Sequence, residues 1–338
     1  MALLFIDGFD HYDHGNDAGE KGYSGTNINF FAPSTTYKRF NGEGIHMQSS
    51  IINAEYPLDT TYTSIYMGIA IRLSTGVAPA YSSASPMFGF YDENGVVQVR
   101  IHVTAAREIV VYNGAGVLLG TSAIDLIPAT TWLYIEARCT VHNTTGVVVV
   151  RINNTEVLNL TNKDTRYGTE YIKKVRFALV RNIDTWFDDF YIDSSQFHGD
   201  VTIKTFWPDS DETHQDWTPS AGNRFQCVDE QGPNDDTDYI SSATVTDQNS
   251  FGFTTGALAD TVVGVQLNNH RRAEDAGATR KTKGLCRSNG SDYLSSESPA
   301  VTAGYLYHCA IWELDPDDSA AWTQVKIEAA EFGINLST

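Results

Sequence analysis

Trp132-Leu-Tyr-Ile-Glu-Ala-Arg-Cys139, Val147-Val-Val-Val-Arg-Ile152 and Trp186-Phe-Asp-Asp-Phe-Tyr-Ile-Asp193 decide the fold of this 338-residue chain. Side chains in the first alternate with a period of two, and the second is a β-branched run of the kind that fills a buried strand. Between them Asn143-Thr-Thr-Gly146 supplies a turn. Together they read as antiparallel strands of a β-sandwich. Such an architecture ends in smooth sheets and long rim loops, which suit recognition or assembly as well as catalysis.

In the third run, period two places Trp186, Asp188, Phe190 and Ile192 on one face, so a carboxylate is expected among large apolar side chains. Burial there is costly unless the group is hydrogen-bonded. Asp188 therefore reads as a structural buried carboxylate, bonded to amides or hydroxyls of a neighbouring loop. The competing reading, a divalent-ion ligand with Asp189 or Asp193, lacks the framed set of about six to eight oxygens that Ca²⁺ takes.

Working outward, Leu3 to Phe9 reads as a strand leading into a polar rim loop, Asp10 to Gly25. Tyr66 to Leu73 alternates, with Met67, Ile69, Ile71 and Leu73 on one face. Asn94-Gly95 between Phe88–Tyr91 and Val96–Val103 signals a hairpin with a type I′ turn. The second of these strands points Val97, Val99, Ile101 and Val103 inward and Gln98, Arg100 and His102 outward. A further hairpin falls at Tyr112-Asn-Gly-Ala-Gly116.

Ser194 to Gly199 marks a boundary, which predicts a sandwich domain over 1–197 and a second β-rich sandwich domain over 198–338. Strands are expected in the second half at Asp200–Trp207, Phe225–Asp229, Asp238–Ser242, Asn249–Phe253, Val262–Leu267, Ala278–Lys283 and Leu306–Trp312. The one helix is expected over Thr323–Phe332, with Thr323 as N-cap, Gly333 as stop and Val325, Ala329 and Phe332 on one face. The fold class is thus all-β, two jelly-roll-like sandwiches with one short C-terminal helix.

Composition narrows the function. Only 19% of residues are charged while 12% are aromatic, as suits sheets joined by tight turns. A formal net charge of −19 argues against direct nucleic-acid binding, which needs clustered Lys and Arg. Cys139, Cys227, Cys286 and Cys309 show no metal or redox spacing and read as free thiols. No apolar run is long enough to span a bilayer and the N-terminus lacks a basic leader, so no membrane insertion is expected, and the chain stays in a cytoplasm or leaves it inside a particle.

Motifs for chemistry are sparse. No Glu-x-Asp-x-x-Glu or Glu-x-Asp-x-Glu strand occurs, the pattern that holds two carboxylates across a sugar, and no Gly-x-Ser-x-Gly elbow is present. Asp209 to Asp216 begins like a calcium loop but lacks its Gly and closing Glu. His11 and His14 with Asp10, Asp13 and Asp17 can hold a metal, although polar surface loops collect such residues freely. The site readings are accordingly no catalytic residue, no cofactor and no metal. Arg271 and Arg272, with Lys281, read as a cationic stripe beside a hairpin around Glu274–Gly277, either a solvated edge or an intersubunit contact. Tyr81, Tyr112, Trp207 and Trp217 are candidates for stacking on sugar rings.

Trp132-Leu-Tyr-Ile-Glu136, Gly146-Val-Val-Val-Val-Arg-Ile-Asn153 and Phe187-Asp-Asp-Phe-Tyr-Ile-Asp193 make the first ~195 residues resemble a concanavalin A-like lectin/glucanase sandwich. The whole chain also resembles structural proteins of tailed-bacteriophage virions. That likeness is carried by Leu4-Phe-Ile-Asp-Gly-Phe-Asp10, Phe197-His-Gly-Asp-Val201, Asp235-Asp-Thr-Asp-Tyr-Ile240 and the ending Ala320 to Ile334. It implies a non-enzymatic, multi-copy part of a particle exterior (tail, fibre or capsid decoration), assembled in the host cytoplasm. The expected partners are other virion proteins and further copies of the chain, a trimer being favoured. The alternative is a carbohydrate-binding module that adsorbs to host-surface glycans.

Overall fold

The computed structural model describes residues 2–13, 15–25, 32–40, 42–47, 53–74, 86–178, 180, 183–258, 261–274 and 279–338. Tyr81 and His14 lie outside the described residues. The chain divides into two compact units, one of residues 2–10 and 14–204, the other of residues 11–13 and 205–338. In both, the regular structure is almost wholly strand.

The N-terminal unit runs β1 (Leu3–Asp7), α1 (Gly15–Glu20), β2 (Ala32–Ser34), β3 (Gly44–Met47), β4 (Asn53–Tyr62), β5 (Ser64–Leu73), β6 (Phe88–Tyr91) and β7 (Val97–Val103). It continues with β8 (Ile109–Asn113), β9 (Leu118–Thr121), β10 (Trp132–Thr140), β11 (Gly146–Ile152), β12 (Thr155–Lys163), β13 (Ile172–Ala178) and β14 (Thr185–Asp193). These form an eight-stranded sheet, β12-β11-β10-β5-β14-β3-β2 with β1 added on β14, and a six-stranded sheet, β4-β13-β6-β7-β8-β9. The result is a jelly-roll-like sandwich. Ile65, Met67, Ile69, Ile71 and Leu73 of β5, each at most 1% exposed, line one inner face. Phe177 of β13 meets Phe187 and Phe190 of β14 across the layer at 5.0 and 5.1 Å between ring centres. Each fully buried ring of this kind stabilises the fold by about 1.5–3 kcal/mol.

Those two contacts correct the face assignment along β14. Phe187 and Phe190 share the core face although three positions apart, because the pairing with β5 slips between Asp188 and Tyr191. Asp189 takes a left-handed φ of 50° there, a β-bulge that inserts one extra residue. Ile192 stays on the core side, opposite Met67, whereas Trp186, Asp188, Tyr191 and Asp193 face outward. The hairpin at Asn94-Gly95 forms, but not as type I′. Only Gly95 has positive φ, 76°, and Asp92 Oδ1 accepts from the amides of Asn94 and Val96, so the connection is a tight turn closed by a left-handed glycine.

In the C-terminal unit the elements are β15 (Ser210–Gln215), β16 (Thr218–Pro219), β17 (Ile240–Ser241), β18 (Gln248–Gly252), β19 (Val265–Arg271), β20 (Thr282–Ser288), β21 (Ser291–Leu294), β22 (Leu306–Trp312), α2 (Gln324–Ala329) and β23 (Glu331–Leu336). A five-stranded sheet, β15-β18-β23-β20-β21, faces the two-stranded ribbon β19–β22, and β16 pairs with β17. Cys286, Ala310, Trp312, Trp322, Ile327, Ala330 and Phe332 form the core between them.

Residues 201–209 form no strand, Phe225–Cys227 is a 3-10 turn, and β20 begins at Thr282 rather than at Ala278, which lies outside the described residues. The Thr323 hydroxyl caps the helix by accepting from Lys326 N at 3.3 Å. The helix nevertheless stops at Ala329, because Ala330 turns to extended backbone. Val325 is 76% exposed and Ile327 is the buried residue, while Phe332 reaches the core from β23. All four cysteines are free thiols. Among the described residues no helix is long and apolar enough to cross a membrane.

Candidate functional site

Two surfaces of the N-terminal sandwich gather polar chemistry. The first is the outward face of the eight-stranded sheet, over which the segment Ser194–Lys204 is strapped. Asp188 is 6% exposed, and its two oxygens accept from Arg39 N at 3.0 Å and from Asp189 N at 2.8 Å. Burial, then the neighbouring Asp189 charge, pushes its carboxyl up to about 8. Asp189 is offset by better partners: Oδ2 pairs with Arg39 Nη1 at 2.9 Å and Oδ1 accepts from Ile203 N at 2.6 Å. Burial still raises it to about 6. The Arg39 guanidinium also binds Asp200, donates to Val201 O at 2.8 Å and lies 5.0 Å over the Tyr134 ring.

Farther along the strap, Glu136 Oε1 accepts from Tyr191 OH at 2.5 Å and from Gly199 N at 2.7 Å, while Arg151 sits 3.2 Å from its other oxygen. Asp193 accepts from Ser195 N, Gln196 N and His198 Nε2 at 2.6, 3.0 and 2.9 Å. Burial opposes its charge, but these bonds outweigh it and hold the carboxyl below its ordinary value. Acidic side chains from β10 and β14 are thus spent on fastening one stretch of chain, which ties strand chemistry directly to rigidity.

The second surface is the outward face of the six-stranded sheet. Register aligns Glu55, Arg176, Gly89, Arg100, Tyr112 and Leu118 in one row across all six strands. Glu55 pairs with Arg176, whose guanidinium lies 4.1 Å over the Tyr91 ring. Gly89 is required at this spot, since a Cβ there would lie 2.4 Å from the Tyr91 ring. Arg100 Nη2 donates to Gly114 O at 2.5 Å. His102 is 2% exposed and meets Tyr112 edge-on at 5.8 Å. Burial and then Arg100 lower its imidazole to about 4, so it is neutral at pH 7. Gln98, on the same strand, holds Tyr167 N and O at 2.7 and 2.8 Å. The row offers guanidinium donors and an aromatic ring side by side, the pairing that ring hydroxyls and carboxylates fit.

Of the stacking candidates, Tyr112 belongs to this row. Trp207 and Trp217 lie in the other unit, both half-buried, and Trp217 Nε1 donates to Asp247 O at 3.3 Å. The cationic stripe does not form as a hairpin, because β19 pairs with β22 and not with β20. Arg271 turns inward on the ribbon. Arg272 binds Asp236 at 2.6 Å, and Lys281 binds Glu297 at 2.8 Å. Sequence reading left out Arg39, Glu136, Tyr91 and Arg176. Tyr112 and the outward alternation of Gln98, Arg100 and His102 pointed toward the second surface. Among the described residues no group of His, Cys, Asp and Glu is arranged to hold a metal ion.

No protein-family model matches the chain, and no curated protein matches it in sequence. Some solved structures are similar to it in fold, at low sequence identity. An endo-β-1,4-glucuronan lyase from the fungus Trichoderma reesei is similar over 57% of this chain and 96% of its own, with 11% identity and a TM-score of 0.38. A sialidase is similar over 58% of this chain but 19% of its own, with 11% identity and a TM-score of 0.42. The catalytic domain of a glycoside hydrolase family 131 protein from Coprinopsis cinerea is similar over 60% of this chain and 98% of its own, with 12% identity and a TM-score of 0.38.

Proposed function

We propose that this chain is a non-enzymatic structural component of a tailed-bacteriophage virion, exposed on the particle as tail, fibre or capsid decoration and acting through protein–protein interfaces. The observation that carries this reading is the strap. Residues 194–204 leave the sandwich pinned by Glu136, Asp189, Asp193 and Arg39, so the polar groups best placed for chemistry maintain a fixed chain path instead. A fixed path suits a part that holds geometry within an assembly. The resemblance read from Leu4–Asp10 and Phe197–Val201 points the same way. The chain assembles as a homo-oligomer, a trimer, beside other virion proteins. Antibody labelling of intact particles, with native mass measurement of the purified chain, tests this: surface labelling and a trimer mass are expected, and absence of the chain from purified particles refutes it.

A second reading, a carbohydrate-binding module adsorbing to host-surface glycans, is favoured by the row Arg176, Arg100 and Tyr112 on the six-stranded sheet. Glycan-array binding that Arg100→Ala and Tyr112→Ala weaken supports it. Polysaccharide cleavage by the purified chain overturns both readings.

A further inference from the structure

Within the C-terminal unit, the ribbon β19–β22 presses onto the five-stranded sheet, with β19 against β23 and β22 against β20. The two inner faces start out apolar, where Val265, Leu267, Ala310 and Trp312 pack with Cys286 and Phe332. They turn polar farther along. Asn269 stands directly opposite His308, and Arg271 follows two residues on, hence on the same face. Beneath them, a Cβ at Gly284 would lie 2.5 Å from Ala310 Cβ and 3.4 Å from Leu267 Cδ2, so this side of β20 faces the ribbon and Thr282 is its next position. Asn249 shares the row of Ile334 and Gly284. Ala273 N donates to Thr302 O and Val301 N to Arg280 O, both at 2.7 Å, which brings the Arg271 end of β19 to the Thr282 end of β20.

Among the described residues, five side chains in this layer carry buried polar atoms without a hydrogen-bond partner: both polar atoms of the Asn249 carboxamide, Asn269 Nδ2, Arg271 Nε and Nη1, His308 Nδ1 and Thr282 Oγ1. Asn249 is fully buried and Thr282 is 2% exposed. Isolated orphans of this kind are few in folded proteins, and a cluster of them is costly unless a further group completes it. Burial lowers His308 to about 4, so the imidazole is neutral at pH 7 and Arg271 is the cluster's cation. One positive charge, a surplus of N–H donors and no carboxylate among these side chains specify the complement: a small group bearing negative oxygens. Leu306, opposite Arg271, is 39% exposed and marks the open end.

We propose that the polar end of the layer between the ribbon and the five-stranded sheet binds a small oxyanion, a carboxylate or phosphate group, anchored by Arg271 and completed by Asn269, His308, Asn249 and Thr282. This site is independent of the particle and glycan readings. Calorimetric titration of the full chain with inorganic phosphate and with acetate, at constant ionic strength, tests it. Saturable binding of at least one anion is expected, weakened at least about tenfold in Arg271→Met and in Asn269→Leu. Arg271→Met removes an unpaired cation and is expected to fold; should it not, Asn269→Leu carries the comparison alone. Failure of the native chain to bind either anion by about 10 mM, or equal binding by the folded variants, overturns the proposal.

Discussion

Asp188→Asn turns the buried carboxylate of the bulge into a pH experiment. The native carboxyl keeps its proton up to about 8, whereas the unfolded chain releases it near 3.8. Between those values the folded state binds more protons, so the contribution is complete below 3.8 and is lost as pH rises through about 8. At about 1.4 kcal/mol per pH step, the interval from 3.8 to about 8 sets a ceiling of roughly 5–6 kcal/mol. Asp189 titrates in the same field, upward to about 6, and the pair shares the effect. We therefore expect a loss of about 2 kcal/mol between pH 5.5 and 9, which corresponds to roughly 1 M in urea midpoint.

Asparagine has no proton to lose, but its amide nitrogen cannot accept from Arg39 N or Asp189 N, which costs about 1 kcal/mol at every pH. The variant is thus less stable than the native chain at pH 5.5 and more stable at pH 9. Urea unfolding at pH 5.5, 7 and 9, read by hydrogen exchange of peptides covering 185–193, resolves that crossing. If the two proteins keep the same difference at both ends of the range, the assigned titration is wrong.

Arg39→Met leaves Asp189 buried without its cation and unties the strap. A loss of about 3–5 kcal/mol and new protease cleavage within 194–204 are expected. His102, lowered to about 4 by burial, must be charged in the acid-unfolded chain, so its contribution is present above its ordinary value of 6.5 and is lost as pH falls toward 4. His102→Gln should flatten that part of the acid-unfolding curve. Thr323→Ala removes the helix cap and should cost about 1 kcal/mol, measured by urea unfolding of the full chain.

Local periodicity determined a great deal. The alternation of Met67, Ile69, Ile71 and Leu73, the Asn143–Gly146 turn between β10 and β11 and the hairpin at Gly95 were legible because a strand's face and a turn's backbone depend on residues within a few positions of each other. The outward run of Gln98, Arg100 and His102 was legible for the same reason. Tertiary structure alone decided the bulge at Asp189, since its left-handed backbone is held by Arg39, Tyr134 and Ile203, as many as 150 positions away. It also decided that Phe332 reaches the core from a strand instead of a helix, that β19 pairs with β22, and that residues 201–204 form part of a strap. In each case the deciding bonds join segments far apart in the chain, and no period in the sequence records which distant partner a strand will meet.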